Sequence, residues 1–172
     1  PYDVQIGRLG VEALAAQGRD WASMPKSSPD TPNYFAETGQ AIAPAFWPYW
    51  AGHGLEFDGL GGASMAESVA LFGLPISPAQ METSPTDGGT YLTQWYERAR
   101  FEYHPELPAG QRVQLTQIGR WFTNDRAATP AFQWLGQNPD PSGQRSFFPE
   151  SGHSLGGAFR GFWEGKGGLA VF

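Results

Sequence analysis

Residues 90–103 read TYLTQWYERARFEY, and this stretch carries the clearest signal for the fold. Aromatic and β-branched residues occupy alternate positions on both sides of a polar centre: Tyr91, Thr93 and Trp95 before it, and Phe101 and Tyr103 after it. A period of two in such residues is typical of β-strands, because successive side chains point to opposite faces. The stretch therefore predicts a β-hairpin of about seven residues per strand around Glu97-Arg98-Ala99.

The composition of the whole chain predicts a packed protein built from short elements. Of its 172 residues, 40% are hydrophobic and 15% aromatic, which supplies enough apolar surface for a core. The 23 glycines and 15 prolines favour tight turns over long helices. We therefore expect an α+β fold in which short helices and β-hairpins are joined by many loops.

Charge and composition argue against several partners and chemistries. The formal net charge of −6 leaves no basic face for a nucleic acid. The absence of cysteine excludes disulfides, thiolate metal sites and cysteine nucleophiles. The longest nearly apolar run, residues 69–76, is less than half of the roughly 20 residues that a membrane-spanning helix needs, so we expect a protein that is not integral to a membrane. The chain begins at Pro1 with neither methionine nor a signal-peptide pattern, as expected of a processed product, an internal fragment or a sequence read from assembled material.

The sequence contains an internal repeat. The motif Gln-Ile-Gly-Arg occurs at residues 5–8 and again at residues 117–120. Further matches follow in the same order. The distance along the chain between matched residues is constant for them and one residue greater than for the first motif: FAETG at 35–39 with FPESG at 148–152, Ala45-Phe46 with Ala158-Phe159, Tyr49-Trp50 with Phe162-Trp163, and Gly52 with Gly165. Ordered agreement of this kind indicates tandem duplication.

The spacing between the copies then becomes shorter, because residues 69–72 match residues 169–172. The first copy thus carries an additional segment, which we place within the glycine-rich stretch 53–68. We predict a complete first unit at residues 1–110 and a shortened second unit at residues 111–172.

Each unit is predicted to contain a short helix with an aromatic face. In the second unit Phe159, Phe162 and Trp163 have the i, i+3, i+4 spacing of one helix face, with Ser154 as N-cap and Gly165 at the end. The counterpart, residues 42–50, contains Pro44 and Pro48, so we expect a kinked, short or 3₁₀ helix there. The matched aromatic pattern predicts the same backbone for residues 35–52 and 148–165. Another helical turn is predicted from the spacing of Leu115, Ile118, Trp121 and Phe122.

Three segments carry a resemblance to a known repeat: YERARFEYHPE at residues 96–106, FGLPIS at 72–77 and ESGH at 150–153. They resemble an uncharacterised tandem repeat of secreted and cell-surface bacterial proteins, which is loosely similar to the LGFP repeats associated with cell walls. The resemblance implies an extracellular or cell-surface location and an accessory or structural role. It implies no catalytic residue and no cofactor.

One motif fits the nucleophile elbow of lipases. Residues 152–157 read GHSLGG and match G-x-S-x-G around Ser154. An α/β-hydrolase needs a histidine after its serine, however, and none follows Ser154. The aligned residues of the first unit, GQAIAP at 39–44, also lack a hydroxyl. We therefore interpret Ser154 as a helix cap.

The remaining polar clusters favour structure over chemistry. The histidines His53, His104 and His153 lack the short spacings of metal sites. A His104–Glu106 chelate is conceivable, but a histidine at the end of the hairpin whose ring packs on aromatic residues is the simpler interpretation. Glu97, Arg98, Arg100 and Glu102 are conceivable as the acid, base and anion clamp of a glycosidase, but cross-strand charge pairs on the hairpin explain them more simply. Residues 87–89 and 138–143 are better explained as turns than as calcium loops. We predict neither a metal, a cofactor nor an enzyme.

The repeat separates aromatic residues of a shared core from those free for binding. Aromatic residues occupy both copies at five positions: Phe35/Phe148, Phe46/Phe159, Tyr49/Phe162, Trp50/Trp163 and Phe72/Phe172. Four tryptophans have no aromatic counterpart and are candidates for sugar stacking or a protein interface, with an ordinary core position as the alternative: Trp47, Trp95, Trp121 and Trp134.

The leading functional prediction is an extracellular scaffold that assembles into a surface layer, stalk or filament. The second unit stops before the hairpin that follows the helix in the first unit, so Phe159, Phe162 and Trp163 lack the partner that the matched helix has there. The first unit of the same chain could cover them, but we expect a neighbouring copy to do so head to tail. The first alternative is a module that binds cell-wall or other polysaccharide, and a hydrolase is a weaker one.

Overall fold

A computed structural model describes residues 4–171. Over these residues five short α-helices and eight strands alternate with turns and 3₁₀ helices, which confirms the predicted α+β class. The helices are α1 (Leu9–Ala16), α2 (Trp47–Gly52), α3 (Met65–Phe72), α4 (Ile118–Thr123) and α5 (Gly157–Gly165). The strands are β1 (Tyr34–Phe35), β2 (Gln40–Ala41), β3 (Gln80–Thr83), β4 (Thr90–Trp95), β5 (Arg100–Tyr103), β6 (Val113–Leu115), β7 (Arg145–Phe148) and β8 (His153–Gly156). Phe172, which the repeat pairs with Phe72, lies outside the described residues.

The predicted hairpin forms the centre of an antiparallel sheet with the strand order β3-β4-β5-β6. Its register pairs Trp95 with Arg100 and Leu92 with Tyr103. The strands have six and four residues rather than seven. The Tyr96 amide donates to the Ala99 carbonyl over 2.8 Å, so Glu97 and Arg98 form the turn. Leu115 belongs to β6 and not to the predicted helical turn, which begins at Ile118.

The two faces of this sheet pack against different cores. Phe101 is fully buried on one face, among aromatic rings from the N-cap and first turn of α2, the end of α3 and the residue that follows β4: Phe46, Tyr49, Phe72 and Tyr96. On the other face Trp95 joins a smaller cluster whose buried members include Leu14 of α1 and Ile118 of α4. Helix α4 is thereby fixed against the sheet beside α1.

Each of the two predicted units contains a hairpin followed by a helix. Hairpin β1–β2 and hairpin β7–β8 have the same register at the spacing of the repeat, with Phe35 opposite Gln40 and Phe148 opposite His153. In each turn a glycine amide donates to the carbonyl of that phenylalanine, over 2.9 Å from Gly39 and 2.8 Å from Gly152. The common backbone expected for these segments is therefore observed in the hairpins, while the unit boundaries at residues 110 and 111 stay a prediction.

An aromatic pair joins each hairpin to its helix in the same way. Phe35 meets Trp50 edge-on at 5.5 Å between ring centroids, and Phe148 meets Trp163 edge-on at 5.3 Å. The helices end at the matched residues Gly52 and Gly165, but α2 has six residues and α5 has nine. Helix α2 is short, as the prolines predicted, and its Pro48 occupies the first turn, where no backbone N–H is needed.

Ser154 does not cap a helix. It lies in β8, opposite Phe147, and Gly156 occupies the N-cap position of α5. The prediction was wrong because the hairpin extends through Gly156, so its second strand runs directly into the helix. The hydroxyl of Ser154 is shielded from solvent and has no hydrogen-bond partner among the described residues.

The end of the second unit packs on the additional segment of the first. The Lys166 ammonium donates to the Glu56 carbonyl over 3.1 Å and lies 4.5 Å from the centre of the Phe57 ring. This segment is a loop as predicted until α3 begins after Ser64, which forms a reciprocal capping pair with Glu67. No helix in residues 4–171 combines the length and the apolar character that membrane crossing requires.

Candidate functional site

A groove of about 310 Å³ separates helix α4 from the turn that joins β3 to β4. Its lining combines one tryptophan with polar side chains and a proline: Pro85, Thr86, Gln117, Arg120, Trp121 and Asn124. This volume lies at the lower end of the roughly 300–1,000 Å³ that is usual for ligand pockets.

The sequence of α4 places one of its faces in the groove. Gln117, Arg120, Trp121 and Asn124 have the i, i+3, i+4, i+7 spacing of one helix face. Ile118 is buried in the core, and Phe122 packs against the same cluster. Because these two apolar side chains hold the helix on the protein, the polar face and Trp121 remain at the surface.

The opposite wall is a braced turn. The Ser84 amide donates to the Gly89 carbonyl over 2.7 Å, and the Gly88 amide donates to the Ser84 carbonyl over 3.0 Å. Asp87 accepts from the Gly89 amide and from the Tyr91 hydroxyl, each over 2.8 Å. The bonds from the Gly89 amide and the Tyr91 hydroxyl lower the pKa of Asp87. Together the four hydrogen bonds hold the turn that carries Pro85 and Thr86.

Trp121 is the aromatic surface of the groove. It is 40% exposed and stacks at 6.4 Å on Phe122, so one part of the indole is anchored and the rest is open to solvent. A half-exposed indole beside side-chain amides, a hydroxyl and a guanidinium offers an apolar platform with hydrogen-bonding groups around it.

A smaller cleft of about 220 Å³ adjoins the groove and shares Pro85 and Trp121 with it. It contains Glu82 and Arg100, and the Arg100 side chain is only 2% exposed. Arg100 pairs with Glu102, and its Nη2 lies 3.4 Å from Glu82 Oε2. The charges in this cleft therefore neutralise one another.

The carboxylate of Glu82 is held in its ionised form. Arg19 donates to it over 2.7 Å, and Trp95 Nε1 donates over 2.9 Å. Burial by itself raises the pKa of Glu82, but the hydrogen bonds from Arg19, Gln80 and Trp95 outweigh burial and lower it. The general acid of a glycosidase needs a raised pKa, so the lowered pKa of Glu82 does not suit that role.

The network continues from the cleft to the β3–β4 turn. Both ring nitrogens of His104 face carboxylates, Nδ1 at 2.9 Å from Glu106 Oε1 and Nε2 at 3.4 Å from Glu102 Oε2. The His104 ring lies 3.8 Å from the centre of the Tyr91 ring, which in turn binds Asp87. His104 thus packs on an aromatic ring, as the simpler interpretation predicted, and its contact with the exposed Glu106 is an ordinary hydrogen bond.

The four charged hairpin residues considered as an acid–base set do not converge. Glu97 lies at the turn, where it pairs with Arg8 over 2.9 Å and accepts from the Leu74 amide over 3.1 Å. Arg100 and Glu102 lie on the sheet and pair along β5, and Arg100 also pairs across the sheet with Glu82 of β3. The expected cross-strand partners are neutral, because Arg100 is opposite Trp95 and Glu102 is opposite Thr93.

The four unmatched tryptophans have different environments, and only Trp121 lines the groove. Trp95 is 1% exposed, so it is a core residue and not a stacking surface. Trp47 is half-buried and stacks on Trp50 at 5.6 Å. Trp134 is 64% exposed, covers the turn at Gly152 and donates to the Pro149 carbonyl over 3.2 Å.

The aromatic face of α5 is partly covered by the same chain, which is one of the two covers that the sequence left open, so a neighbouring copy is not needed for Phe162 or Trp163. Phe162 packs against the main core, and Trp163 packs against Phe148 and Gly168. Phe159 is 64% exposed although its counterpart Phe46 is fully buried, so this matched pair does not serve a shared core.

Three carboxylates also meet near the start of α3. Ligand atoms of Glu56, Asp58 and Glu67 lie within 4.8 Å of one another. Glu67 accepts from the Phe57 and Ser64 amides, and Glu56 accepts from the Asp58 and Gly59 amides. These bonds shape the loop before α3 and account for the cluster as a structural feature.

Comparison of the chain with protein-family models, curated protein sequences and solved structures gives no match. Function is therefore inferred from the groove. Sequence reasoning selected Trp121 because the repeat offers no aromatic equivalent, but it missed the polar residues around it. The helical spacing of Gln117, Arg120 and Asn124 with Trp121 is the signal that identifies them.

Proposed function

We propose that the protein is an extracellular or cell-surface module that binds a polysaccharide in the groove beside Trp121. The observation that carries the proposal is a half-exposed indole among the polar side chains that line the groove. Sugar rings have an apolar face of C–H groups and an edge of hydroxyls. An indole covers the apolar face of the sugar, and side-chain amides, hydroxyls and guanidinium groups bind its hydroxyls.

The rigidity of the groove supports binding of a flexible chain. Helix α4 is anchored by Ile118, and the opposite turn is held by its own hydrogen bonds. Little conformational entropy is then lost by the protein when a glycan binds. The size of the groove suits a short stretch of such a chain.

The lining of the groove supports binding without turnover. None of its six residues carries a carboxyl group. The nearest carboxylate in the adjoining cleft, Glu82, is engaged by Arg19, Trp95 and Arg100. Ser154 lies in a different hairpin and has no histidine partner among the described residues.

Retention on insoluble glycans tests the proposal. Wild-type protein is incubated with insoluble bacterial cell-wall glycan, chitin and cellulose, and the retained fraction is measured. We expect Trp121→Leu, which introduces the residue found at the matched Leu9, to reduce retention on the preferred glycan at least tenfold. Trp134→Ala is the control, because Trp134 is more exposed but lies outside the groove.

Two results would contradict the groove as the binding site. One is equal retention of wild-type protein and Trp121→Leu. The other is a loss of retention in Trp134→Ala alone. Circular dichroism of each variant confirms that the fold is retained.

Self-assembly into a surface layer, stalk or filament is the second candidate function. It is supported by exposed large apolar side chains on the additional loop of the first unit and at the end of the second: Phe57, Leu60, Phe159 and Leu169. Leu60 borders a cleft of about 340 Å³ that Ala170 and Val171 also line. Burial of large apolar side chains in a contact contributes roughly 1.5–3 kcal/mol each.

Light scattering and electron microscopy test assembly. Purified protein is expected to form ordered polymers, and Leu60→Ser together with Leu169→Ser is expected to dissolve them. A monodisperse monomer at high concentration would contradict this candidate and would leave the glycan proposal intact.

A further inference from the structure

We infer that the groove selects an anionic sugar, one that bears a carboxylate or sulfate group, through Arg120. This inference rests on the proposed glycan binding and specifies the class of glycan. It starts from the repeated Gln-Ile-Gly-Arg motif, whose two arginines have different surroundings.

Arg8, the arginine of the first copy, is neutralised within the protein. Its Nη2 lies 2.9 Å from Oε1 of Glu97, and Glu97 also binds the Leu74 amide. Arg8 therefore fixes the start of α1 to the β4–β5 turn. Leu9, the neighbour that corresponds to Trp121, packs against the core around Leu14.

Arg120, the arginine of the second copy, has different surroundings. Within residues 4–171 no carboxylate oxygen lies within 4.0 Å of its guanidinium nitrogens. It is exposed, and it lines the groove together with Trp121. The same motif thus provides a structural ion pair in one copy and an uncompensated cation beside an aromatic surface in the other.

Arg120 is the only charged residue among the six that line the groove. In the adjoining cleft the charge of Arg100 is balanced by Glu82 and Glu102. Asp87, which follows Thr86 in the turn, accepts hydrogen bonds from the Gly89 amide and the Tyr91 hydroxyl. The lining itself therefore carries one positive charge, in a chain of net charge −6.

Guanidinium chemistry accounts for the preference. The planar fork of an arginine donates two parallel hydrogen bonds to a carboxylate or to a sulfate, and such charge-assisted bonds are about twice as strong as neutral ones. A sugar ring stacked on Trp121 places its substituents toward neighbouring side chains of the same helix face. A neutral sugar offers Arg120 only hydroxyl oxygens.

A glycan array with matched neutral, carboxylated and sulfated oligosaccharides tests the inference. The variants are Arg120→Gln and, as the matched control, Arg8→Gln, since a surface ion pair such as Arg8–Glu97 contributes only about 0–1 kcal/mol. We expect wild-type protein and Arg8→Gln to bind the anionic oligosaccharides at least tenfold more strongly than neutral ones of the same backbone. Arg120→Gln is expected to bind both classes equally. The carboxylated and sulfated arms show which anionic group is preferred.

The outcomes distinguish a failure of the anionic preference from a failure of glycan binding itself. Equal binding of neutral and anionic oligosaccharides by wild-type protein overturns the anionic preference and keeps glycan binding. An anionic preference that persists in Arg120→Gln overturns the role of Arg120. Binding to none of the oligosaccharides overturns the proposed function itself. Repeating the array in 0.5 M NaCl adds a check, because screening should weaken anionic binding in wild-type protein and leave Arg120→Gln unchanged.

Discussion

The residue that follows the Gln-Ile-Gly-Arg motif has different surroundings in the two copies. Leu9 faces a core, whereas Trp121 faces a groove. The helix begins after the motif in the first copy, at Leu9, and within it in the second copy, at Ile118. The same four residues therefore lie in different local structures in the two copies.

Ser154→Ala is expected to leave stability unchanged or raise it by up to about 1 kcal/mol. Its buried hydroxyl has no partner, and an unsatisfied buried polar group costs about 1–3 kcal/mol. The matched residue of the first unit is already an alanine, Ala41, which is buried in β2. Urea denaturation of wild type and variant provides the measurement.

A destabilisation of more than about 1 kcal/mol by Ser154→Ala would show that the hydroxyl makes a bond that its surroundings do not reveal. Labelling by a fluorophosphonate probe would instead show that Ser154 is a nucleophile. We expect neither result.

At the scale of elements, the two matched hairpins predict unequal costs for the same substitution. Gly39 and Gly152 have φ angles of +68° and +67°, so alanine strains both turns by roughly 1 kcal/mol. A Cβ at Gly152 would also overlap the Trp134 ring and lie 2.7 Å from the Leu135 amide nitrogen. A Cβ at Gly39 meets only the flexible Lys26 side chain, at 3.2 Å.

Gly152→Ala should therefore lower the free energy of unfolding more than Gly39→Ala, and chemical denaturation of the two variants side by side measures the difference. Tryptophan fluorescence is expected to change in Gly152→Ala because Trp134 must move. Equal destabilisation of both variants would contradict the packing of Trp134 on this turn.

The elements that sequence could predict are those with a pattern of their own. Strands β4 and β5 are recognised by their alternation, and α5 by its aromatic spacing. Strands β3 and β6 are not recognisable in the sequence, because these short outer strands are specified by pairing with β4 and β5. Their apolar residues Met81 and Leu115 are exposed, so no buried face marks these strands.

The candidate site was predictable only in part. The repeat singled out Trp121, but it singled out Trp95 equally, and no local pattern distinguishes a tryptophan under α1 and α4 from one at the surface. The second wall of the groove, Pro85 and Thr86, is distant from α4 in the sequence. Its position depends on the sheet that carries the turn, which is a long-range property of the fold.

At the scale of the whole molecule, the carboxylates predict loss of stability in acid. The pKa values of six of them are lowered: Glu67, Glu82, Asp87, Glu106, Asp140 and Glu164. A group whose pKa is lower in the folded than in the unfolded chain stabilises the fold above its unfolded pKa. That stability is lost as the pH falls through the folded pKa.

The free energy of unfolding is therefore expected to be nearly constant near neutral pH and to fall as the pH drops below the ordinary glutamate value of 4.5. Glu82→Gln should lower stability at pH 7 and reduce the dependence on pH below 4.5. Guanidinium denaturation between pH 3 and pH 7 measures both effects. Stability that rises toward pH 3 would contradict the arrangement of these carboxylates.

The most direct test of glycan binding follows the indole N–H resonances of ¹⁵N-labelled protein by NMR. Soluble oligosaccharides prepared from the glycan that retains the protein are added in steps. We predict a saturable shift of the Trp121 resonance together with the backbone amides of Thr86 and residues 117–124, while Trp47 and Trp134 stay unchanged. A saturable shift at Trp134 without one at Trp121, or no shift at saturating oligosaccharide, would contradict the groove as the binding site.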